Sequence, residues 1–187
     1  FIQNYATNPN GPLAIPRTPV LICVTIASFV WLISTFASGV ISDYIGRKKT
    51  YLIGWAVQLG GVFALFPLVN SGSISLLALG LSLLALGIGL TYGVQSAFYA
   101  ELFPASVRFS GISISYALGA ILGGAFAPMI GTWLVGVTGS TWSVTIYLAT
   151  MTCIALLATL SLRDRSGIAL GPDHEQEQAK SPILWKS

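Results

Sequence analysis

The stretch "GVISDYIGRKK", residues 39–49, lies between two apolar runs and gathers Asp43, Arg47, Lys48 and Lys49 into one short reversal. Charge is scarce elsewhere. Only 8% of the 187 residues are Asp, Glu, Lys or Arg, against 54% hydrophobic, and mean hydropathy is +0.78. That is more apolar side chain than a single water-facing core accommodates, so the chain is read as embedded in a lipid bilayer.

Working outward from residues 39–49, five apolar segments emerge: 18–41, 51–69, 74–99, 109–136 and 143–162. Each is near or above the ~20 residues needed to cross a ~30 Å hydrocarbon layer. Backbone polar groups in lipid must be satisfied within the segment, so each run is predicted to be an α-helix. Continuous apolar runs exclude the short alternating strands of a membrane barrel. Residues 17–165 therefore form a bundle of five spans. Residues 1–16, "FIQNYATNPNGPLAIP", read as a helix end and a loop broken by Pro and Gly. The chain is expected to begin inside a sixth helix and to be a fragment of a larger protein. Residues 166–187 turn polar and aperiodic and are expected to form a disordered cytoplasmic tail.

Cation placement sets the predicted orientation. Of the nine Lys and Arg residues, only Arg17 falls opposite Arg47, Lys48, Lys49, Arg108, Arg163, Arg165, Lys180 and Lys186 if the spans alternate. The positive-inside rule makes the cation-rich side cytoplasmic, with the C-terminus on it, in a cell (inner or plasma) membrane. Net charge +3 is thus a matter of topology and implies no nucleic-acid partner.

No Asp, Glu, Lys, Arg or His lies in the middle of a predicted span, so these segments carry no proton relay of their own. They also lack a nucleophile with its base, a carboxylate pair or a metal-ligand cluster. An enzyme is therefore not expected, nor a metal or cofactor. Cys23 and Cys153 lie inside spans and read as small packing residues.

Gly39, Asp43, Gly46, Arg47 and Lys48 follow the spacing G-x-x-x-D-x-x-G-R-K. Gly39 permits close approach of a helix, Gly46 permits a positive φ, and Asp43 is a carboxylate at the membrane edge. This pattern resembles the signature loop of the major facilitator superfamily. A second stretch, "QSAFYAELFPASVRFSG" at 95–111, has Glu101 and Arg108 on either side of Pro104. It is similar to the turn between helices ten and eleven in the sugar-porter and metabolite:proton symporter branches. "GISISYALGAILGGAFAPMIGTWL" at 111–134 resembles helix eleven of the metabolite:proton symporters of the shikimate, α-ketoglutarate and proline-betaine type.

The resemblance implies an all-α membrane fold, the C-terminal six-helix half of a twelve-helix transporter, with a missing N-terminal six-helix half as partner. It implies secondary active transport of a small-molecule substrate, an organic acid or a zwitterion, by alternating access with a proton as coupling ion. It also implies a cytoplasmic gate in which Arg47 pairs with Glu101, Arg108 extends the network and Asp43 meets a helix terminus of the missing half. The cavity-lining helices would then offer Asn4, Tyr5, Tyr92, Gln95 and Tyr116 to substrate. Gly87, Gly89, Gly93, Gly119, Gly123 and Pro128 would serve helix packing or hinge motion. Two other readings remain open at this point: a sugar-porter-like facilitator, and an inert truncated membrane half.

Overall fold

The computed structural model describes residues 1–165, 169–180 and 182–184. A short helix α1 (Ile2–Thr7) and a loop lead into α2 (Arg17–Ile45), α3 (Arg47–Val69) and α4 (Ile74–Leu102). Then come α5 (Arg108–Gly119), a π-helical turn (Ala120–Ala125), α6 (Ala127–Thr138) and α7 (Trp142–Ser161). A 3₁₀ turn (Pro172–His174) and α8 (Glu175–Lys180) follow. Counting α5 through α6 as one span, five helical segments are long and apolar enough to cross a membrane. The protein is a multi-pass, all-helical membrane protein.

The helices outrun the hydropathy signal on the cation-rich side. What reads in sequence as a turn over residues 42–50 is a break at one residue, Gly46, whose φ of 96° closes α2 and opens α3. A side chain there would be strained. Asp43 thus belongs to the last turn of α2, and Arg47, Lys48 and Lys49 to the first turn of α3. Arg and Lys are good helix formers, so the helix continues where the hydrocarbon ends.

α4 is the hub, packed along α2 on one side and α3 on the other, while α7 lies against α3. Glycine sets these distances. A Cβ on Gly89 or Gly93 would overlap α2 at Ser34 and Thr35, and one on Gly87 would overlap the backbone of Gln58 on α3. From the α3 side, a Cβ on Gly54 would lie 2.8 Å from Thr91, and one on Gly61 would lie 2.9 Å from Leu84. Ser38 on α2 donates to the Leu90 carbonyl at 2.5 Å, which ties the closest crossing. In lipid there is little hydrophobic drive between helices, so this close contact is what holds them.

The apolar core has two parts. Toward the α1 end, Ala6, Val20, Cys23, Leu65, Phe66, Val69, Leu77 and Val144 close a cluster sealed by Phe1 and Tyr5. The Cys23 thiol is buried there and donates to the Ile74 carbonyl at 3.6 Å. Toward the cation-rich end, Tyr51, Val94 and Phe98 pack with Trp55 and Leu162.

The α5–α6 span stands apart. α5 buries none of its residues and α6 only Gly131, which meets the Phe1 ring. Gly119 and Gly123 have nothing within 4 Å of where a Cβ would sit, so among the described residues no helix packs closely against them. Pro128 lies in the first turn of α6. Lacking an N–H, it leaves the carbonyl four residues back without its helical partner, and the wide π turn ends just before it.

The expected disordered tail differs from what the described residues show; 166–168, 181 and 185–187 lie outside them. α8 is tied to the end of α4 by hydrogen bonds through Arg165 and Gln178. Arg165, 3% exposed, donates to the Leu102 carbonyl at 2.8 Å and to the Gln178 carbonyl. The Gln178 side chain, 2% exposed, accepts from the Ala105 N–H at 3.0 Å and donates to the Ala169 carbonyl at 2.5 Å. Beyond it, the Arg163 N–H donates to the Ile183 carbonyl at 2.8 Å. Polar composition misread this segment because its order comes from hydrogen bonds to helix-end carbonyls, which leave no hydrophobic period. Burial also lowers the Arg165 pKa from its ordinary value.

Two outcomes follow. Gly93→Val should force α2 and α4 apart and lower stability by about 1–3 kcal/mol, read by thermal unfolding in detergent. Gln178→Ala should free α8 at a cost of about 1–3 kcal/mol in local opening, read as faster proteolysis of the tail with unchanged global unfolding.

Candidate functional site

The cation-rich ends of α2, α3 and α4 converge on Arg47. Its Nε donates to Glu101 Oε1 at 2.6 Å, one terminal nitrogen meets Asp43 Oδ1 at 3.1 Å, and the other donates to Ser42 Oγ at 3.2 Å. The side chains of Arg47 and Glu101 are 28% and 10% exposed, while Asp43 is 65% exposed. One guanidinium therefore joins three helix ends, which only Arg's rigid fork of donors permits.

This placement opposes the helix macrodipole, since Arg47, Lys48 and Lys49 crowd the positive end of α3. Two of the three are compensated directly. Arg47 has the two carboxylates, and Lys48 donates to the carbonyls of Leu160, at 3.1 Å, and Leu162, capping the negative end of α7. Among the described residues, Glu101 Oε2 and Arg165 Nε are the buried side-chain polar atoms without a hydrogen-bond partner. The free carboxylate oxygen of Glu101 is thus a vacant acceptor at the centre of the junction.

Arg108 does not join this network as expected. Its Nε donates to the carbonyls of Ala100, at 2.9 Å, and Phe103, and its terminal nitrogens reach the Leu170 carbonyl at 3.0 Å and Gln178 Oε1 at 3.3 Å. Pro104 ends α4 and leaves those carbonyls unpaired, so Arg108 serves as their cap and as an anchor for the tail. Gly39 likewise has nothing within 4 Å of a Cβ; no helix of this chain makes the close approach anticipated there.

The cavity candidates separate into two groups. Tyr5 turns its hydroxyl toward Asn70 Oδ1 at 2.9 Å, stacks on Phe1 and meets Phe66 edge to face, and Asn70 donates in turn to Thr141 at 3.0 Å. It therefore works as a clasp at the end of the bundle opposite Arg47. Asn4 lines a separate cleft of about 270 Å³ with Gln3, Thr7 and Arg17. Tyr92, by contrast, lines a cleft of about 390 Å³ between α2 and α4, with Thr25, Ser28, Phe29, Trp31, Leu32 and Thr35. Tyr116, on α5, is about half exposed. Gln95 lies on the next turn of α4.

Sequence reasoning missed Trp31 and Thr35. The available signal was the spacing Thr25, Ser28, Leu32, Thr35, a helical stripe with Trp31 beside it.

The sequence pattern of the Major Facilitator Superfamily matches residues 5–187. Over 169 residues the chain is 38% identical to the inner membrane metabolite transport protein YhjE of Escherichia coli, covering 86% of this chain and 37% of that protein. It is 30% identical over 175 residues to the shikimate transporter of Escherichia coli, covering 88% and 37%. It is 32% identical over 152 residues to the citrate-proton symporter of Klebsiella pneumoniae, covering 81% and 34%. The chain thus spans little more than a third of the length of these relatives. No solved structure matches it.

If Arg47 and Glu101 form one unit, Arg47→Ala and Glu101→Ala should be strongly non-additive. A double-mutant cycle on thermal unfolding should return a coupling of about 0.5–3 kcal/mol, whereas Arg108→Ala combined with Glu101→Ala should be close to additive.

Proposed function

The chain belongs to the Major Facilitator Superfamily, whose members are transporters rather than enzymes, and from that premise we propose that it is the C-terminal part of a secondary transporter. In this reading it moves a small polar metabolite, an organic acid or a zwitterion, by proton symport. The end of the bundle holding Arg47 and the C-terminus faces the cytoplasm. A second six-helix unit faces α2, α4 and α5–α6, and substrate sits between the units as they rock.

The observation that carries this reading is the buried Glu101 oxygen without a partner, beside Arg47. A carboxylate buried on one oxygen by an in-chain Arg, with the other left open, suits a gate that completes its hydrogen bonds only when the facing unit arrives. Asp43, exposed on the same rim, then meets a helix N-terminus of that unit, where a negative charge is favourable. Closing excludes water and strengthens each pair, and opening returns them to solvent, where such pairs are worth about 0–1 kcal/mol. A swing of this size suffices for a transporter whose two states differ by a few kcal/mol. The unpacked Gly39, Gly119 and Gly123 fit the same picture as surfaces for the facing unit. The proton-binding group lies outside this chain, since its spans hold no ionisable carboxylate or imidazole at mid-membrane.

Reconstituted with its full-length parent sequence, the protein should take up one organic acid or zwitterion under an inward proton gradient and lose that uptake when a protonophore is added. Sugar uptake indifferent to the protonophore would overturn the symport reading. Glu101→Gln should slow uptake roughly tenfold, equivalent to about 1.4 kcal/mol, and raise the accessibility of cysteines placed on the cytoplasmic side of the cavity.

A further inference from the structure

We propose that the C-terminal tail, through Arg165 and Gln178, is a strap that holds the α4–α5 turn in its gate-closed arrangement, and that its release favours opening on the gate side. This rests on the transporter reading and concerns how the cycle is restrained rather than what is carried.

The place where the chain can bend comes first. α4 is interlocked with α2 and α3 through glycine, whereas α5 buries none of its residues. A displacement of the α5–α6 span against that core is therefore taken up in the few residues that join them, 103–107. Pro104 interrupts the helical ladder there, so no continuous run of backbone bonds stiffens the join. Glu101, the gate carboxylate, lies two residues before it.

The tail fastens this hinge on both sides. Arg165 donates to the carbonyl of Leu102, the last residue of α4, at 2.8 Å. Gln178 Oε1 accepts from the Ala105 N–H, within the turn, at 3.0 Å and from Arg108, the first residue of α5, at 3.3 Å. Another Arg108 nitrogen reaches the Leu170 carbonyl at 3.0 Å. The Gln178 amide nitrogen is held in turn by the Ala169 and Gly171 carbonyls, at 2.5 and 3.1 Å, which fixes how its oxygen is aimed. At its base the strap is pinched shut by the Arg163 N–H on the Ile183 carbonyl and by an antiparallel bridge between Leu162 and Leu184. That base sits at the foot of α7, which packs on α3. The strap thus ties the hinge to the interlocked core.

Its chemistry suits a fastening that lets go. Arg165 and Gln178 are the buried residues among those described in the tail, and both are polar, while Gln176, Glu177 and Lys180 are exposed. A permanent staple would bury apolar side chains; hydrogen bonds are exchanged for bonds to water on release, at a modest net cost. Arg165 Nε, buried and without a partner among the described residues, is rehydrated by the same step. The strap is engaged in the structure in which Arg47 holds Glu101, so the two belong to one arrangement of the gate.

The test uses the full-length parent, its cysteines replaced, with one of two reporters on the loose span: Ser113→Cys near the gate end of α5 or Val137→Cys at the far end of α6. An impermeant maleimide labels the first from the cytoplasmic side, in inside-out vesicles, and the second from the outer side. Gln178→Ala should raise labelling of the near reporter roughly fivefold, the factor one net hydrogen bond is worth, and lower labelling of the far one. Deleting residues 169–187 should act in the same direction, and Gln176→Ala, exposed on the same helix, should change neither. Fraying of the tail alone would move the near reporter and leave the far one untouched. That result overturns the proposal, as do unchanged labelling at both reporters and shifts of the reverse sign. Neither reporter needs substrate or a proton gradient. Protonophore-insensitive uptake with both shifts present would therefore sink the symport reading and leave the strap standing, and protonophore-sensitive uptake without the shifts would do the reverse.

Discussion

The close approach of α4 to its neighbours is the constraint on which the rest of the structure depends. Gly87, Gly89 and Gly93 present bare backbone to α3 and α2, and Gly54 and Gly61 return the arrangement from α3. In water a bundle can be held by burying any apolar side chain; in lipid the tails outside are as apolar as the core inside, so association relies on packing at short range. Removing side chains at the crossing is how this chain obtains it. Everything chemical lies at the ends or edges of that crossing. Glu101 reaches Arg47 because the end of α4 is pinned beside Gly46, and Tyr92 reaches Trp31 because Gly89 and Gly93 draw α4 onto α2.

Topology and helix electrostatics are in conflict at the start of α3, and the structure shows which wins. Three cations at a helix N-terminus run against the macrodipole, a cost of a few tenths to about 1 kcal/mol each at exposed sites. Their siting on one side of the membrane outweighs this, and the neighbouring chain offsets what remains. Glu101 and Asp43 neutralise Arg47, and Lys48 is turned onto the carbonyl end of α7, where a cation is welcome. The same logic recurs at the end of α4, whose carbonyls are met by Arg108 and Arg165 rather than by a glycine cap. Cations required at this face by topology are thereby reused as helix caps.

What was legible in the sequence follows from the range of the forces involved. The spans were legible because hydropathy acts over whole helices, and the Arg47–Glu101 pair because the resemblance supplied its two motifs. Hydropathy could not see that α2 and α3 continue to Gly46, since helix propensity persists where the apolar signal stops. It could not place Arg108, whose partners are backbone carbonyls that carry no residue identity, nor α8, which is held by Gln178 and Arg165 through such carbonyls. Tyr5 and Tyr92 look alike as polar aromatics on predicted helices. Only the fold separates a hydroxyl bound to Asn70 from a ring packed edge to face against Trp31. Trp31 carries no sequence signal of its own, since an apolar aromatic on a membrane helix reads alike whether it faces lipid, a neighbouring helix or a cleft.

The Trp31–Tyr92 contact and the proposed gate share two rigid elements. Tyr92 and Glu101 are nine residues apart on α4, or about 13.5 Å at 1.5 Å per residue. Trp31 and Asp43 are twelve residues apart on α2, or about 18 Å by the same rise. Because the glycine crossing interlocks α2 with α4, neither helix can slide past the other without driving side chains into backbone. The pair therefore moves as one body, and no wire of small shifts through it is needed to link the two sites. Differential contact between transport states must arise at the faces the pair leaves open: the weakly packed α5, and the free oxygen of Glu101. The first bears on the substrate side and the second on the gate, which makes the loose α5–α6 span and the facing unit, rather than the interlocked core, the parts whose rearrangement couples binding to closure.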